Sequence, residues 1–240
     1  MKIQKYLMMV IITAAVSVSF SQTVLLEEKF ESGTFSLLGW GDGLNAHNAV
    51  MNGFARLQSG GINVGRRAFI SRNTGSDGSR EYNGAKIYNF FDHPLEISLN
   101  IANLEGKPDD GKRIAYFAGI GYGRAGRVAA PADLWNGISF MVEKTSSGGF
   151  AVTVTEQTAA KDERTVLSSI TKAPAKLTIV ISGNKWKLVL DDVKKFDGVL
   201  TLLTQKDFGD SFYFWTGLKN AGPSLTPGSM DVSNIKIVTP

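Results

Sequence analysis

The sequence contains no cysteine and only two histidines. The absence of cysteine excludes a disulfide framework and lipid attachment to an N-terminal cysteine, so a secreted form must depend on its own core for stability. His47 and His93 do not form an H-E-x-x-H pair or any other close ligand spacing. Each is interpreted as a loop or turn residue.

Long apolar runs are also scarce, and the only extended one lies at the N-terminus. Lys2 and Lys5 precede an apolar stretch over residues 6–18, which small residues follow up to Ser21. This order predicts a signal peptide over residues 1–21 and a single mature domain over 22–240. A membrane anchor is the competing interpretation, but the run is shorter than the ~20 residues that cross a bilayer. We therefore expect a secreted or periplasmic protein that does not span the membrane after cleavage.

Charge of one sign does not dominate the chain. It has 26 Lys and Arg against 22 Asp and Glu, and removal of Lys2 and Lys5 leaves 24 against 22. The charges are interspersed, so nucleic acid is not an expected partner. With 43% hydrophobic residues, the predicted mature length can bury one sizeable core.

Alternation of apolar and polar residues is the dominant pattern. It is clearest over 95–101, 138–142 and 150–154, where it indicates half-buried strands. The longest helical candidates, 158–167 and 199–205, are short. The pattern predicts an all-β sandwich or closed barrel.

A glycine motif at 121–126 spells G-x-G-x-x-G, the signature of dinucleotide-binding loops. A strand precedes it, but Pro131 and the turn at Asn136-Gly137 leave no room for the crossover helix that such loops require. We interpret it as a glycine-rich loop between antiparallel strands and expect no nucleotide cofactor. A polar stretch at 73–84 begins like a calcium loop, but Gly84 stands where the bidentate Glu would be, so it is interpreted as a turn.

Three segments resemble concanavalin A-like, or laminin-G-like, jelly rolls. They are "VLLEEKFESG" at 24–33, the hairpin "NKWKLVLDDVKKFDG" at 184–198 and the ending "GSMDVSNIKIV" at 228–238. The resemblance implies a sandwich of two curved antiparallel sheets, with the N- and C-terminal strands paired near the middle of one sheet. It also implies glycan binding on the concave sheet or in the loops at its rim, where aromatic rings stack on sugar faces.

Two loop clusters have the composition of such a glycan site. Aromatic rings pack on the C–H face of a sugar, and directed polar groups bind its hydroxyls. The alternative is that the tryptophans only pin loops to the core. On the strand at 211–218, Tyr213 and Trp215 share a face that could line a sheet surface. The candidate loop residues are Trp40, Asp42, Asn45 and His47 in one cluster, and Tyr122, Arg124, Arg127 and Trp135 in the other.

The resemblance also implies a structural calcium ion, held by an acid near the first strand and an aspartate on the last. Glu28 or Glu31 and Asp231 are the matching positions. Solvated charges at strand ends are the alternative.

The function predicted from these observations is that of an exported, lectin-like module that binds a polysaccharide or surface glycan. A glycoside hydrolase or polysaccharide lyase on the same fold is one alternative, although the E-x-D-x-x-E strand of laminarinase-type members is missing. A structural or adhesive envelope module is the other. Whether the chain is an enzyme stays open at this point.

Overall fold

A computed structural model describes residues 22–34, 41–42, 48–59, 67–73, 90–91, 94–106, 114–122, 136–158, 161–207, 213–220 and 228–239. Within these ranges the chain forms fifteen β-strands and a short 3₁₀ turn at Gln205–Asp207. The strands are β1 Thr23–Glu28, β2 Gly41–Asp42, β3 Ala49–Met51, β4 Phe54–Ser59, β5 Arg67–Asn73, β6 Leu95–Glu105, β7 Ile114–Tyr122, β8 Asn136–Lys144, β9 Phe150–Gln157, β10 Asp162–Ile170, β11 Lys176–Ser182, β12 Lys185–Leu190, β13 Lys194–Val199, β14 Tyr213–Asn220 and β15 Gly228–Thr239.

The strands form two antiparallel sheets. The eight-stranded sheet has the order β13-β12-β11-β6-β15-β4-β3, with β1 also paired to β15. The seven-stranded sheet has the order β10-β9-β8-β7-β14-β5-β2. The prediction of an all-β jelly-roll sandwich is confirmed, and so is the central pairing of the first and last strands, since β1 lies beside β15.

The core consists of the inward side chains of both sheets. In β6 the buried residues Leu95, Ile97, Leu99 and Ile101 alternate with polar ones, as the sequence pattern predicts. Ile138 and Phe140 of β8 face them from the seven-stranded sheet and belong to the same cluster. Burial of these side chains, at about 1.5–3 kcal/mol each for the larger ones, supplies the stability that disulfides would otherwise provide.

The hairpin formed by β12 and β13 shows why its sequence motif ends in glycine. Trp186 lies directly opposite Gly198 in the ladder, and its ring occupies the space that a Cβ at Gly198 would need. The ring is buried and packs edge-on against Phe140, with centroids 5.5 Å apart. Asp191 and Asp192 form the turn, both with positive φ, and Asp191 Oδ1 accepts hydrogen bonds from the amides of Ala175 and Lys176.

The structure corrects the helical interpretation of residues 158–167. Most of this segment belongs to β10, because residues from Asp162 onward pair with β9 and edge pairing outweighs the weak local helix propensity. In the candidate at 199–205, Val199 ends β13 and only Gln205 belongs to the 3₁₀ turn. Conversely, β7 and β8 on either side of the glycine motif pair antiparallel, as expected for a loop rather than a helical crossover.

The predicted signal peptide over residues 1–21 lies outside the described residues, as do most of the polar stretch at 73–84 and both histidines. Among the residues described, no helix is long and apolar enough to cross a membrane.

Candidate functional site

The outer face of the seven-stranded sheet, on the side away from the core, has an ordered arrangement of residue types. Because neighbouring strands are in register, residues on this face line up in rows across the sheet. The row that includes Trp215 contains Gly41, Ser71, Trp215, Gly119, Ser139, Thr155 and Arg164. The row that includes Tyr213 contains Asn73, Tyr213, Gly121, Gly137, Gln157 and Asp162.

Both aromatic positions of these rows lie on β14, between positions with small side chains. Trp215 pairs with Gly119 on one side and Ser71 on the other, and it alternates along the strand with buried Phe214 and Thr216. Tyr213 pairs with Gly121, and that glycine pairs with Gly137 of β8. Glycine beside an aromatic position removes the cross-strand side chain that would otherwise crowd it, so only backbone lies next to the aromatic position.

The middle of this outer face is closed to water despite its polar composition. Ser139, Met141 and Thr153 are 1%, 6% and 0% exposed. Within the described residues, the hydroxyl oxygens of Thr153 and Thr155 are buried and have no hydrogen-bond partner. A buried hydroxyl without a partner costs roughly 1–3 kcal/mol, so these two groups lower the stability of the fold unless a partner reaches them.

An ion pair between β10 and β8 lies on the same face. Arg164 Nη2 donates to Glu143 Oε2 at 2.5 Å, and Arg164 Nε donates to the other carboxylate oxygen at 3.3 Å. Glu143 is 5% exposed, and Arg164 remains partly open to solvent. The forked contact fixes the guanidinium plane, while its remaining N–H groups can still act as donors.

The residues predicted for glycan binding are only partly described. Asp42 lies in β2, the edge strand of the seven-stranded sheet, and Tyr122 ends β7 opposite Asn136. Through the intervening antiparallel pairs, β2 begins at the end of the sheet where β7 ends. The other six candidates lie outside the described residues, so their roles stay predictions: Trp40, Asn45, His47, Arg124, Arg127 and Trp135.

Two of the acids predicted to bind calcium, Glu28 and Asp231, have other partners. Glu28 Oε1 accepts a 2.7 Å hydrogen bond from the amide of Phe30. Glu28 pairs with Ile235, four residues along β15 from Asp231, which places the two backbones roughly 13 Å apart along the strand. Glu31 is exposed beyond the end of β1. Among the described residues, no three metal-ligating side chains come together.

Asp231 forms an ion pair with the side chain of Arg56. Arg56 Nε and Nη2 each donate to one carboxylate oxygen at 2.8 Å, and Asn103 Nδ2 adds a 2.7 Å bond. Burial acts to raise the pKa of Asp231, but the hydrogen bonds from Arg56 and Asn103 and the charge of Arg56 outweigh it, so the pKa lies below its ordinary value. These contacts do not suit a shared calcium ion, which remains a prediction from the resemblance.

Sequence reasoning did not identify the Thr153, Thr155, Arg164 and Glu143 group. The period-two pattern over 150–154 identified the strand and showed that Thr153 and Thr155 share a face. It could not show which residues of β10 and β8 lie beside them, because that depends on the register between strands. Arg164 was hidden further by the helical interpretation of its segment.

Comparison with solved structures agrees with this architecture. No known protein family matches the chain, and no curated protein sequence matches it significantly. The carbohydrate-binding module CBM2 of the evolved Dit protein from Lactobacillus casei BL23 phage J-1 superposes with a TM-score of 0.55 at 8% identity, covering 91% of this chain and 96% of that one. The chain has a lectin-like jelly-roll fold.

Two further structures share this fold. The metal-free carbohydrate recognition domain of Emp46p has a TM-score of 0.55 at 15% identity, over 89% of this chain and 94% of that domain. A xylan β-1,4-xylosidase from Bacillus halodurans C-125 has a TM-score of 0.55 at 13% identity, over 88% of this chain and 38% of the enzyme. At such identities the likeness establishes the fold alone.

Proposed function

We propose that this chain is an exported carbohydrate-binding module that holds a polysaccharide or surface glycan on the outer face of the seven-stranded sheet. The observation that carries the proposal is the row containing Trp215. It combines an aromatic position beside Gly119 and Ser71 with the unpartnered hydroxyl of Thr155 and, at its end, Arg164. A sugar ring needs this combination, since its C–H face packs on an aromatic ring and its hydroxyls need donors and acceptors.

The carboxylates of this face favour binding without catalysis over hydrolysis. Glu143 and Asp162 are the acidic positions among the described residues of this face. Both oxygens of Glu143 are engaged by Arg164. Hydrolysis by two carboxyl groups needs an acid and a second carboxylate at roughly 5–10 Å, each free to exchange a proton or attack the sugar. A buried glutamate held in an ion pair is better suited to position Arg164 than to catalyse hydrolysis.

Retention on a panel of immobilised polysaccharides tests the proposal directly. We expect the protein to be retained by at least one glycan without release of new reducing or unsaturated ends. Trp215→Ala should weaken that retention by about tenfold or more, since loss of a central aromatic contact costs about 2 kcal/mol. Val180→Ala, at a half-buried position on the outer face of the other sheet, is the matched control and should leave retention unchanged.

Each other outcome identifies a different function. New sugar ends would overturn the binding-only proposal in favour of a hydrolase or lyase. Absence of both retention and products would favour the structural or adhesive module. Equal weakening by Trp215→Ala and Val180→Ala would show that the site is elsewhere. Export is tested separately by N-terminal sequencing of the secreted protein, which should begin at Gln22.

A further inference from the structure

A second concave feature lies on the opposite side of the sandwich, on the outer face of the eight-stranded sheet. It is a pocket of about 440 Å³ that spans β1, β15, β6 and the start of β11. Its lining consists of Glu27, Lys29, Ser98, Asn100, Lys176, Asn234 and Lys236. All of these residues are polar or charged, whereas the face proposed for glycan binding is built around aromatic and small residues.

The pocket lies where two strands share one edge of β15. β4 pairs with that edge as far as Val232, and β1 pairs with it from Ile235 onward. Ser233 and Asn234 lie between the two partners. On the other edge, the register against β6 shifts between Ser233 and Lys236, and Asn234 adopts a φ of 49°. Such a bulge bends the strand and redirects side chains, which is why bulges occur beside binding sites.

The pocket carries a net positive charge, and its lysines differ in whether an acidic partner lies nearby. Three lysines and one glutamate line it, a formal charge of +2. Lys176 Nζ is bonded to Asp192 at 2.9 Å, and Lys29 Nζ lies 3.8 Å from Glu27. Within the described part of the chain, Lys236 has neither an ion pair nor a side-chain hydrogen bond, although it is only partly exposed. It lies between Ser98 on β6 and Glu27 on β1.

Neutral hydrogen-bonding groups line the same pocket as Lys236. Ser98, Asn100 and Asn234 supply a hydroxyl and two amides, and none of the three makes a side-chain hydrogen bond among the residues described. An unpaired ammonium with adjacent amide and hydroxyl donors matches an anion that has several acceptor oxygens.

We propose that this pocket is a second ligand site, which binds the carboxylate or sulfate group of an acidic saccharide through Lys236. The pocket volume can hold a single sugar unit with its acidic substituent. The site lies on the opposite sheet from Trp215, so it does not depend on the proposed function of that face. A chain with both sites could hold two strands of polysaccharide, or two parts of one.

The test is binding of the full protein to soluble polymers of matched length: polygalacturonate, dextran sulfate and neutral dextran. We expect affinity for one or both acidic polymers through this pocket and none for dextran. Lys236→Glu should lower that affinity by at least tenfold, because it replaces attraction with repulsion at close range. Lys236→Gln should lower it less. Circular dichroism and thermal melting establish that each variant is folded.

Lys187→Glu is the control, since it makes the same charge change on the same sheet face outside the pocket. A loss smaller than twofold there, together with the large loss at Lys236, supports a defined site. Equal losses for the two variants would indicate only diffuse attraction and would overturn the proposal, as would the absence of binding to both acidic polymers. Preference for polygalacturonate or dextran sulfate identifies the acidic group. Because Trp215→Ala should not change binding at this pocket, failure of either site can be recognised separately.

Discussion

The outer faces of the two sheets differ in their contact with water more than in their composition. On the seven-stranded sheet, Ser139 and Thr153 are almost inaccessible, although both are polar. On the eight-stranded sheet, Lys187 is exposed and Thr178 is only half-buried. On both sheets, outer residues alternate with core residues at period two. The alternation therefore shows which residues share a face but not whether that face is exposed to solvent. The comparison teaches that polar composition alone does not show which face of a sheet is in contact with water.

The largest effect should come from placing a charge on each face. Met141→Asp puts a carboxylate at a 6% exposed position close along the strand to Glu143. We expect a loss of about 3 kcal/mol or more in the free energy of unfolding, since a buried charge without a partner is strongly destabilising. Thr178→Asp, on the half-buried face, should cost about 1 kcal/mol or less. Urea unfolding of both variants measures the difference, and similar losses would mean that the two faces are equally hydrated.

A second test contrasts the inner and outer sides of one strand at the edge of the eight-stranded sheet. In Gly198→Ala the new methyl group meets the Trp186 ring, so we expect destabilisation of about 1–3 kcal/mol from overpacking. Asp197→Ala changes the adjacent exposed residue and should be nearly neutral. Thermal unfolding of the pair measures this contrast. A neutral Gly198→Ala would show that Trp186 can move away.

A third and smaller effect concerns the unpartnered hydroxyl of Thr153. Thr153→Val keeps the side-chain shape and removes the buried oxygen, so stability should rise by about 1 kcal/mol. Thr178→Val on the other sheet should change stability by about 0.5 kcal/mol or less. Denaturant midpoints report the result. Loss of stability in Thr153→Val would mean that the hydroxyl already has a hydrogen-bond partner.

The sequence was sufficient for the fold but not for the site. Period-two patterns located most of the strands, and the resemblance of residues 24–33 and 228–238 to the terminal strands of jelly rolls implied the pairing of β1 with β15. The face proposed for glycan binding depends on contacts between residues far apart in the chain, such as Arg164 with Glu143 and Trp215 with Gly119. Those contacts depend on strand order and register, which local periodicity does not encode.

The contacts of Asp231 illustrate the same limit at a single residue. The resemblance to jelly rolls implied that Asp231 shares a calcium ion with an acid near the first strand, and that ion stays a prediction. In the structure the cross-strand partner of Asp231 is Arg56, which neutralises the carboxylate without an ion. The identity of one residue on β4 thus changes the chemistry of a position on β15.

The smallest expected effect concerns Asp231, which is a buried charge on the outer face of the eight-stranded sheet. That face is the more exposed of the two. The folded-state pKa of Asp231 is lowered, so its contribution to stability is fully present above the ordinary aspartate pKa of about 3.9 and is lost as the pH falls through the folded value. Asp231→Asn should therefore lower stability at neutral pH, and the gap between wild type and variant should narrow below about pH 4. Asp192→Asn, at an exposed acid with positive φ that asparagine tolerates, is the control. Urea unfolding of all three proteins from pH 2.5 to 7 measures the gap. A gap that does not change with pH would show that Arg56 and Asn103 stabilise Asp231 through packing rather than through its charge.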